Sequence, residues 1–413
     1  YGVRPPGQKT IGVPLKESAV GPAEDEQLDP VAEKPADDTP YMDTKGKKAP
    51  EGGKQPMCRR RLGLRKRLAL NIFSDLYSSA VAEHRLDTLF WECTLRCNLA
   101  CRHCGSDCRI DPGVPDMPLA DFLRVLDEQV TPHVDPPHVL IIFSGGEVLV
   151  REDLEQAGRE VMRRGYPWGM VTNGLALTPE RFRRLREAGL RSMSVSLDGF
   201  EEQHNYIRRN PHSYERALEA VRMAVRDEGL AFDVVTCVTG AMVPHLEAFR
   251  DLLIAEGVKS WRLFSIFPMG RAKHDESLRM TDAQFREMLE FIRRTRREGR
   301  IDASYACEGF LGGYEAEVRD QFYQCAAGVS VASIRVDGSI SGCTSIRANF
   351  HQGNIYRDDF WDVWQNRFEP FRNREWARRG ACADCRMFRY CLGGGMHLHG
   401  DDDELLYCHY KRL

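Results

Sequence analysis

The strongest constraint on this chain is a repeated alternation. Six β-branched or apolar runs recur, at residues 89–94, 138–144, 168–172, 192–197, 232–239 and 261–267. Between and after them lie segments of helical period, at 119–130, 153–164, 179–188, 214–226, 245–255 and 281–297. Two helix starts are legible in single residues. Thr178-Pro179 reads as an N-cap followed by a proline at the first helical position. Thr281 with Gln284 reads as a capping box. Alternation sustained six times predicts an α/β fold with a parallel sheet, right-handed crossovers and helices on the outside. Curled, such a sheet is a partial (β/α)6 barrel, and barrels of this kind carry their chemistry at the carboxyl ends of the strands.

The residues at those ends carry chemistry. The first strand runs into Cys97-Asn98-Leu99-Ala100-Cys101-Arg102-His103-Cys104, three thiols spaced C-x3-C-x2-C in one short loop. Three thiolates can hold three corners of a cubic iron–sulfur cluster and leave the fourth iron open to a small molecule. Structural zinc is the competing reading, and it wants a fourth thiol or imidazole at finger spacing. The second strand ends in Ser144-Gly145-Gly146-Glu147, the third in Thr172-Asn173-Gly174, and the fourth in Ser196-Leu197-Asp198-Gly199. Glycine lets backbone approach a ligand, while Ser, Asn, Asp and Glu can hydrogen-bond amino, carboxylate and hydroxyl groups. Each tripeptide alone is ordinary turn chemistry. Together at one barrel mouth, facing a three-cysteine loop, they read as a site.

Composition narrows the class. A net charge of −3 over 413 residues gives no reason to expect a nucleic-acid partner. No apolar run reaches the length of a transmembrane segment, and no basic start leads into an apolar stretch as in a signal peptide. Fourteen cysteines in a long chain without such a signal favour metal or redox chemistry in a reducing, cytoplasmic compartment. Residues 1–56 hold few clustered apolar positions and are expected to be a disordered tail. Tyr1 is an odd first residue, and Met57 stands as a candidate initiator. Residues 57–85 read as a basic helical lead-in, opening on Arg59, Arg60 and Arg61. Cys93, Cys58 and Cys237 read as ordinary thiols. Cys108 is a further thiol beside a loop already complete without it.

From about residue 86 to 300 these motifs resemble the radical S-adenosylmethionine (radical SAM) superfamily. The resemblance rests on Cys97, Cys101 and Cys104, with the aromatic His103 before the last cysteine, and on Gly145-Gly146-Glu147. It implies that the open iron of a 4Fe-4S cluster chelates S-adenosylmethionine, and that one electron cleaves the sulfonium to a 5′-deoxyadenosyl radical. The glycine–glycine–glutamate motif is then expected at the methionine amino group. Asn173, Ser196 and Asp198 are expected at other cofactor groups, with His204 and Arg208 in support. A flavodoxin or ferredoxin is the donor that such a family implies.

Residues 301–413 resemble the small cysteine-rich extension called SPASM, which carries auxiliary iron–sulfur clusters. Cys325, Gly338 and Cys343 are followed by Cys382, Cys385, Cys391 and Cys408, and Asp337-Gly338-Ser339-Ile340 reads as a hairpin turn. By that resemblance Cys382, Cys385, Cys391 and Cys408 form one four-thiolate site. The other keeps Cys325 and Cys343 but has Gly395 where the family places a cysteine, so one or two auxiliary clusters are expected. Cys307 is a candidate third thiolate there, and His397 or His399 a candidate nitrogen ligand. Thr344 stands where anaerobic sulfatase maturases carry an acidic residue, which disfavours that reaction. The run at 89–96 with Gly393-Gly394-Gly395-Met396-His397 also resembles a bacterial subgroup encoded beside lipoproteins. The expected substrate is a peptide or protein. The alternatives are a small molecule in haem or cofactor biosynthesis, or a non-catalytic iron–sulfur or zinc protein.

Overall fold

The structure is a computed structural model and describes residues 62–413. The expected tail over residues 1–56, Met57, Cys58 and the Arg59–61 cluster lie outside the described residues.

Helix α1 (Leu64–Glu83) occupies the lead-in. The alternating core then runs β1 (Thr88–Thr94), α2 (Leu119–Val125), β2 (Leu140–Gly145), α3 (Leu154–Arg163), β3 (Trp168–Thr172), α4 (Pro179–Glu187) and β4 (Leu190–Ser196). It continues with α5 (Glu201–Arg208), α6 (Ser213–Val225), β5 (Ala231–Val238), α7 (Leu246–Ala255), β6 (Ser260–Ser265) and α8 (Asp282–Glu298). Both sequence-read starts form as expected. Thr178 Oγ1 accepts from Arg181 N with Pro179 at the first helical position, and Thr281 and Gln284 exchange both bonds of a capping box. Where one helix was expected over 119–130, α2 passes into a π turn at Leu126–Val130. Thr131 closes that turn, its N–H and hydroxyl both donating to Leu126 O.

The six expected strands lie in sequential order, and all their pairings are parallel. The alternation does not stop at residue 300. β7 (Asp302–Tyr305) pairs parallel with β6, and β8 (Val331–Ile334) pairs parallel with β1 on the opposite edge. β9 (Ser339–Ser341) and β10 (Gly353–Asn354) extend that edge antiparallel. The Asp337-Gly338 turn between β8 and β9 is the expected hairpin, with Gly338 at φ +82. One ten-stranded sheet therefore runs from the core into the cysteine-rich region, and a boundary at residue 300 cuts across it.

The sheet is buried on both faces. Outward, Trp91 stacks on Phe122 of α2 at 4.5 Å, and Phe143 stacks on Trp168 at 4.9 Å. Burying an aromatic of this size contributes about 2–3 kcal/mol. The opposite parity of the strands forms a second, smaller cluster with Phe90, Ile142 and Val331. Period-2 alternation thus assigns each strand residue to one face.

Candidate active site

The three-cysteine loop is pinned at both ends. Cys97 N donates to Arg109 O at 2.7 Å, and Arg109 N returns to Leu95 O. Arg96 grips Asp116, whose other bond comes from the Thr94 hydroxyl. Across the loop, Arg102 N donates to Ile207 O at 2.8 Å. A residue that sequence reasoning missed holds the middle. Arg271, in the short helical turn after β6, donates from Nε to Cys101 O at 2.7 Å and from Nη1 to Cys108 O and Asp107. Cys97, Cys101 and Cys108 are buried together, with Cys104 packed against them.

The thiols are free and differ in environment. Burial pushes the Cys97 thiol up to about 12, and raises Cys101 against the opposing charge of Arg208. Cys104 packs against Cys108, whose thiol lowers the Cys104 pKa while its own is raised. In protein alone Cys97 and Cys101 hold their protons while Cys104 ionises more readily, and a bound metal cation displaces the protons that remain. Three thiols in one loop suit a metal cluster.

Glycine makes the wall beside this loop. A Cβ on Gly146 would stand 2.1 Å from Arg96 O, and one on Gly145 2.0 Å from Thr94 O. The same close approach lets Gly146 N donate to Thr94 O at 2.8 Å and Glu147 N to Arg96 O at 2.9 Å. Glu147 is buried, and its carboxylate accepts from Leu149 N, the Thr172 hydroxyl and Asn173 N. Burial raises its pKa against those three bonds. A carboxylate has about four acceptor positions, so one is left. Asn173 reaches the loop directly, donating to Asn98 Oδ1 at 2.8 Å and lying 4.0 Å from Cys97 Sγ.

The β4 side is a buried charge relay. Asp198 is fully enclosed, and its oxygens accept from Arg208 Nε at 2.7 Å and Cys237 N at 2.9 Å. Arg208 in turn places Nη1 3.9 Å from Cys101 Sγ. His204 Nδ1 accepts from Asp198 N, and His103 Nε2 lies 3.7 Å from the Asp198 carboxylate. Asp198 thus faces protein donors on both oxygens and positions Arg208 against the loop. His103 Nδ1 and Ser144 Oγ are buried without a partner. Ser196 ends β4, part-exposed. Cys237 is not the ordinary thiol expected: its sulfur lies within 4.8 Å of ligand atoms of His103 and Asp198. Cys93 is the buried core residue expected, 3.4 Å from Ser144 O.

The second cysteine set divides in two. Cys382, Cys385, Cys391 and Cys408 line one cavity, with Gly393, Gly394 and His409 beside them. Burial raises Cys382, Cys391 and Cys408, and the other thiols of the set add to each. Cys343 is pushed up to about 11 by burial, with Cys307 and Cys325 acting on it. His399 is not free to join them, because its two ring nitrogens already meet Gly393 O and Asp403 O. His397 packs on Gly395, where a Cβ would stand 2.6 Å from its ring. A cysteine at 395 has no room while that ring stays in place.

Comparison with known proteins agrees with this geometry. The family model for the radical SAM superfamily matches residues 91–253, and a second, for an iron–sulfur cluster-binding domain (SPASM), matches residues 325–386. Residues 91–253 thus match a radical SAM domain and residues 325–386 a SPASM domain. This chain is 26% identical over 343 residues to an AdoMet-dependent heme synthase of Methanosarcina barkeri, covering 78% of this chain and 95% of that one. It is 29% identical over 332 residues to the mycofactocin maturase MftC of Mycolicibacterium smegmatis, covering 76% and 81%. In fold it is similar to native anSMEcpe with bound AdoMet and a peptide, at TM-score 0.62, 18% identity and coverage of 79% and 93%. These domain matches support a radical SAM enzyme, with S-adenosylmethionine and 4Fe-4S clusters as its cofactors. Among the described residues no helix is long and apolar enough to cross a membrane.

Proposed function

We propose that this enzyme uses S-adenosylmethionine to oxidise or otherwise modify a peptide or protein at an unactivated carbon, drawing electrons from a flavodoxin- or ferredoxin-type donor. The observation that carries the reading is the convergence on one loop of three clustered thiols, the Gly145–Glu147 wall, Asn173 and the Asp198–Arg208 pair. When bound, cluster and S-adenosylmethionine supply a radical able to abstract hydrogen. The chain supplies position. Cys97, Cys101 and Cys104 hold the metal, and Gly145, Gly146 and Glu147 present the wall against which the methionine end lies. Asn173 and Ser196 offer polar contacts to the remainder of the cofactor, while Asp198 acts through Arg208 and His103 closes the loop's far side. Cys382, Cys385, Cys391 and Cys408 hold an auxiliary cluster. Cys307, Cys325 and Cys343 hold a second with an open position. The maturase relative supports a peptide substrate.

A second reading, an iron porphyrin substrate, is favoured by one observation: the heme synthase relative is covered over 95% of its length. Both readings are tested together. After anaerobic reconstitution and reduction, the wild type is expected to release 5′-deoxyadenosine and Cys101→Ala is not. Equal release by the two overturns the radical reading. Stimulation by an iron porphyrin but by no gene-neighbouring peptide would transfer the function to the second.

A further inference from the structure

Arg374 is a buried cation with no carboxylate. It is 4% exposed, Nη2 donates to Gly394 O at 3.2 Å, and Nε is buried with no acceptor. Among the described residues no Asp or Glu pairs with it. Its guanidinium lies 5.2 Å from the Trp376 ring centroid. A cation–π contact is worth about 0.5–2 kcal/mol, which does not offset the several kcal/mol that desolvating an unpaired ion costs. Some other negative charge is therefore expected beside it.

Its surroundings say which. Gly394, the residue that accepts its bond, forms part of the wall of the cavity between Cys382, Cys385, Cys391 and Cys408, and Gly394 N donates to Cys391 O at 2.9 Å. A second orphan donor lies in the same region: the Tyr323 hydroxyl is buried with no partner. Tyr323 belongs to a buried cluster against which Cys325 of one set and Cys391 of the other both pack, which puts it between the two cysteine sets. Beside it, Tyr77 donates to Cys325 O at 3.0 Å. Two buried donors thus lack acceptors where two thiolate sets meet. An iron–sulfur cluster supplies both missing items, net negative charge and sulfur acceptors.

We propose that Arg374 is the counter-cation and hydrogen-bond donor of the auxiliary cluster at Cys382, Cys385, Cys391 and Cys408, and that with Tyr323 it raises the reduction potential of that cluster. This rests on the reading that the four cysteines hold a cluster. Reduction adds one negative charge, so a fixed neighbouring cation stabilises the reduced form more than the oxidised one. Cluster potentials respond to net charge and to hydrogen bonds on sulfur in this way. Arg374 is a positioning residue, since it touches neither substrate nor S-adenosylmethionine.

The test is an anaerobic potentiometric titration of the reconstituted full chain followed by electron paramagnetic resonance, with iron counted in every sample. Arg374→Gln is expected to keep its iron and to favour the oxidised cluster at least tenfold more than wild type, a fall of about 59 mV for one electron. Arg374→Lys, which keeps the charge, is expected to stay near wild type. Tyr323→Phe is expected to fall less than Arg374→Gln. An iron-replete Arg374→Gln at the wild-type potential overturns the proposal, as does Arg374→Lys falling as far as Arg374→Gln. If Arg374→Gln cannot hold iron, an unchanged potential in Tyr323→Phe overturns it. Failure of the underlying reading looks different: Cys382→Ser would then lose no iron relative to wild type.

Discussion

Replacing Gly146 by alanine probes the link between fold and site with a single methyl group. The added Cβ would stand 2.1 Å from Arg96 O and 2.8 Å from Arg96 C. Carbon and carbonyl oxygen approach to about 3.3 Å at closest, so the Arg96 carbonyl has to retreat by roughly 1 Å. One bond ends on that oxygen, and its neighbour two residues earlier in the chain holds the glycine itself. Glu147 N meets Arg96 O at 2.9 Å, and Gly146 N meets Thr94 O at 2.8 Å. Each lost bond removes about 1 kcal/mol, and each buried group left unpaired costs about 1–3 kcal/mol more. For the one bond on Arg96 O the expected loss is about 2–4 kcal/mol. Gly146 does not have a positive φ, so steric contact alone is measured. Gly63→Ala is the control, because its Cβ meets nothing within 4 Å. The assay is urea unfolding of the cluster-free protein under anaerobic conditions, paired with 5′-deoxyadenosine release after reconstitution. If Gly146→Ala unfolds within about 0.5 kcal/mol of wild type and releases 5′-deoxyadenosine normally, the loop does not owe its place to this contact.

Two other outcomes are expected. The cluster-free protein should lose stability as pH falls below about 6.5. Burial, aided by Arg208, pushes the His204 pKa down to about 3, so in this range the unfolded chain binds the proton and the folded chain does not. By pH 4 that one group costs about 3 kcal/mol. Asp198 adds to the loss below about pH 4, because burial opposes its ionisation but Arg208, His103 and His204 outweigh it and hold its carboxyl low. Chemical unfolding between pH 7 and 4 measures the slope, which should flatten in His204→Asn; an unchanged slope there removes His204 as its source. Iron counts address the auxiliary sites. With Cys97, Cys101 and Cys104 all changed to alanine, about eight irons per chain are expected to remain, falling to about four when Cys307 is also changed to serine. Iron that ignores Cys307→Ser removes it from the site.

What could be read from the sequence, and what could not, follows the range of the forces involved. β3 and the Thr178 and Thr281 caps are specified by residues within a few positions of one another, and each forms where expected. β7 and β8 are four residues each, and their place in the sheet depends on partners elsewhere in the chain. Nothing local distinguishes them from loop. The same division runs through the site. The three cysteines and the two glycines are constrained by chemistry and by close approach, so their residue types alone are informative. Arg271 and Arg374 are not. An arginine in isolation reads as solvated surface, and it becomes a clamp or a counter-cation only when folding removes its water and sets its neighbours around it. Cys237 lies between these cases. Period-2 alternation along β5 puts it on the face shared with Asp233 and Val235. β5 pairs with β4, which ends beside Asp198, and parity alone therefore separates Cys237 from Cys93. A cysteine should be weighed by the face its strand gives it before it is weighed by its type.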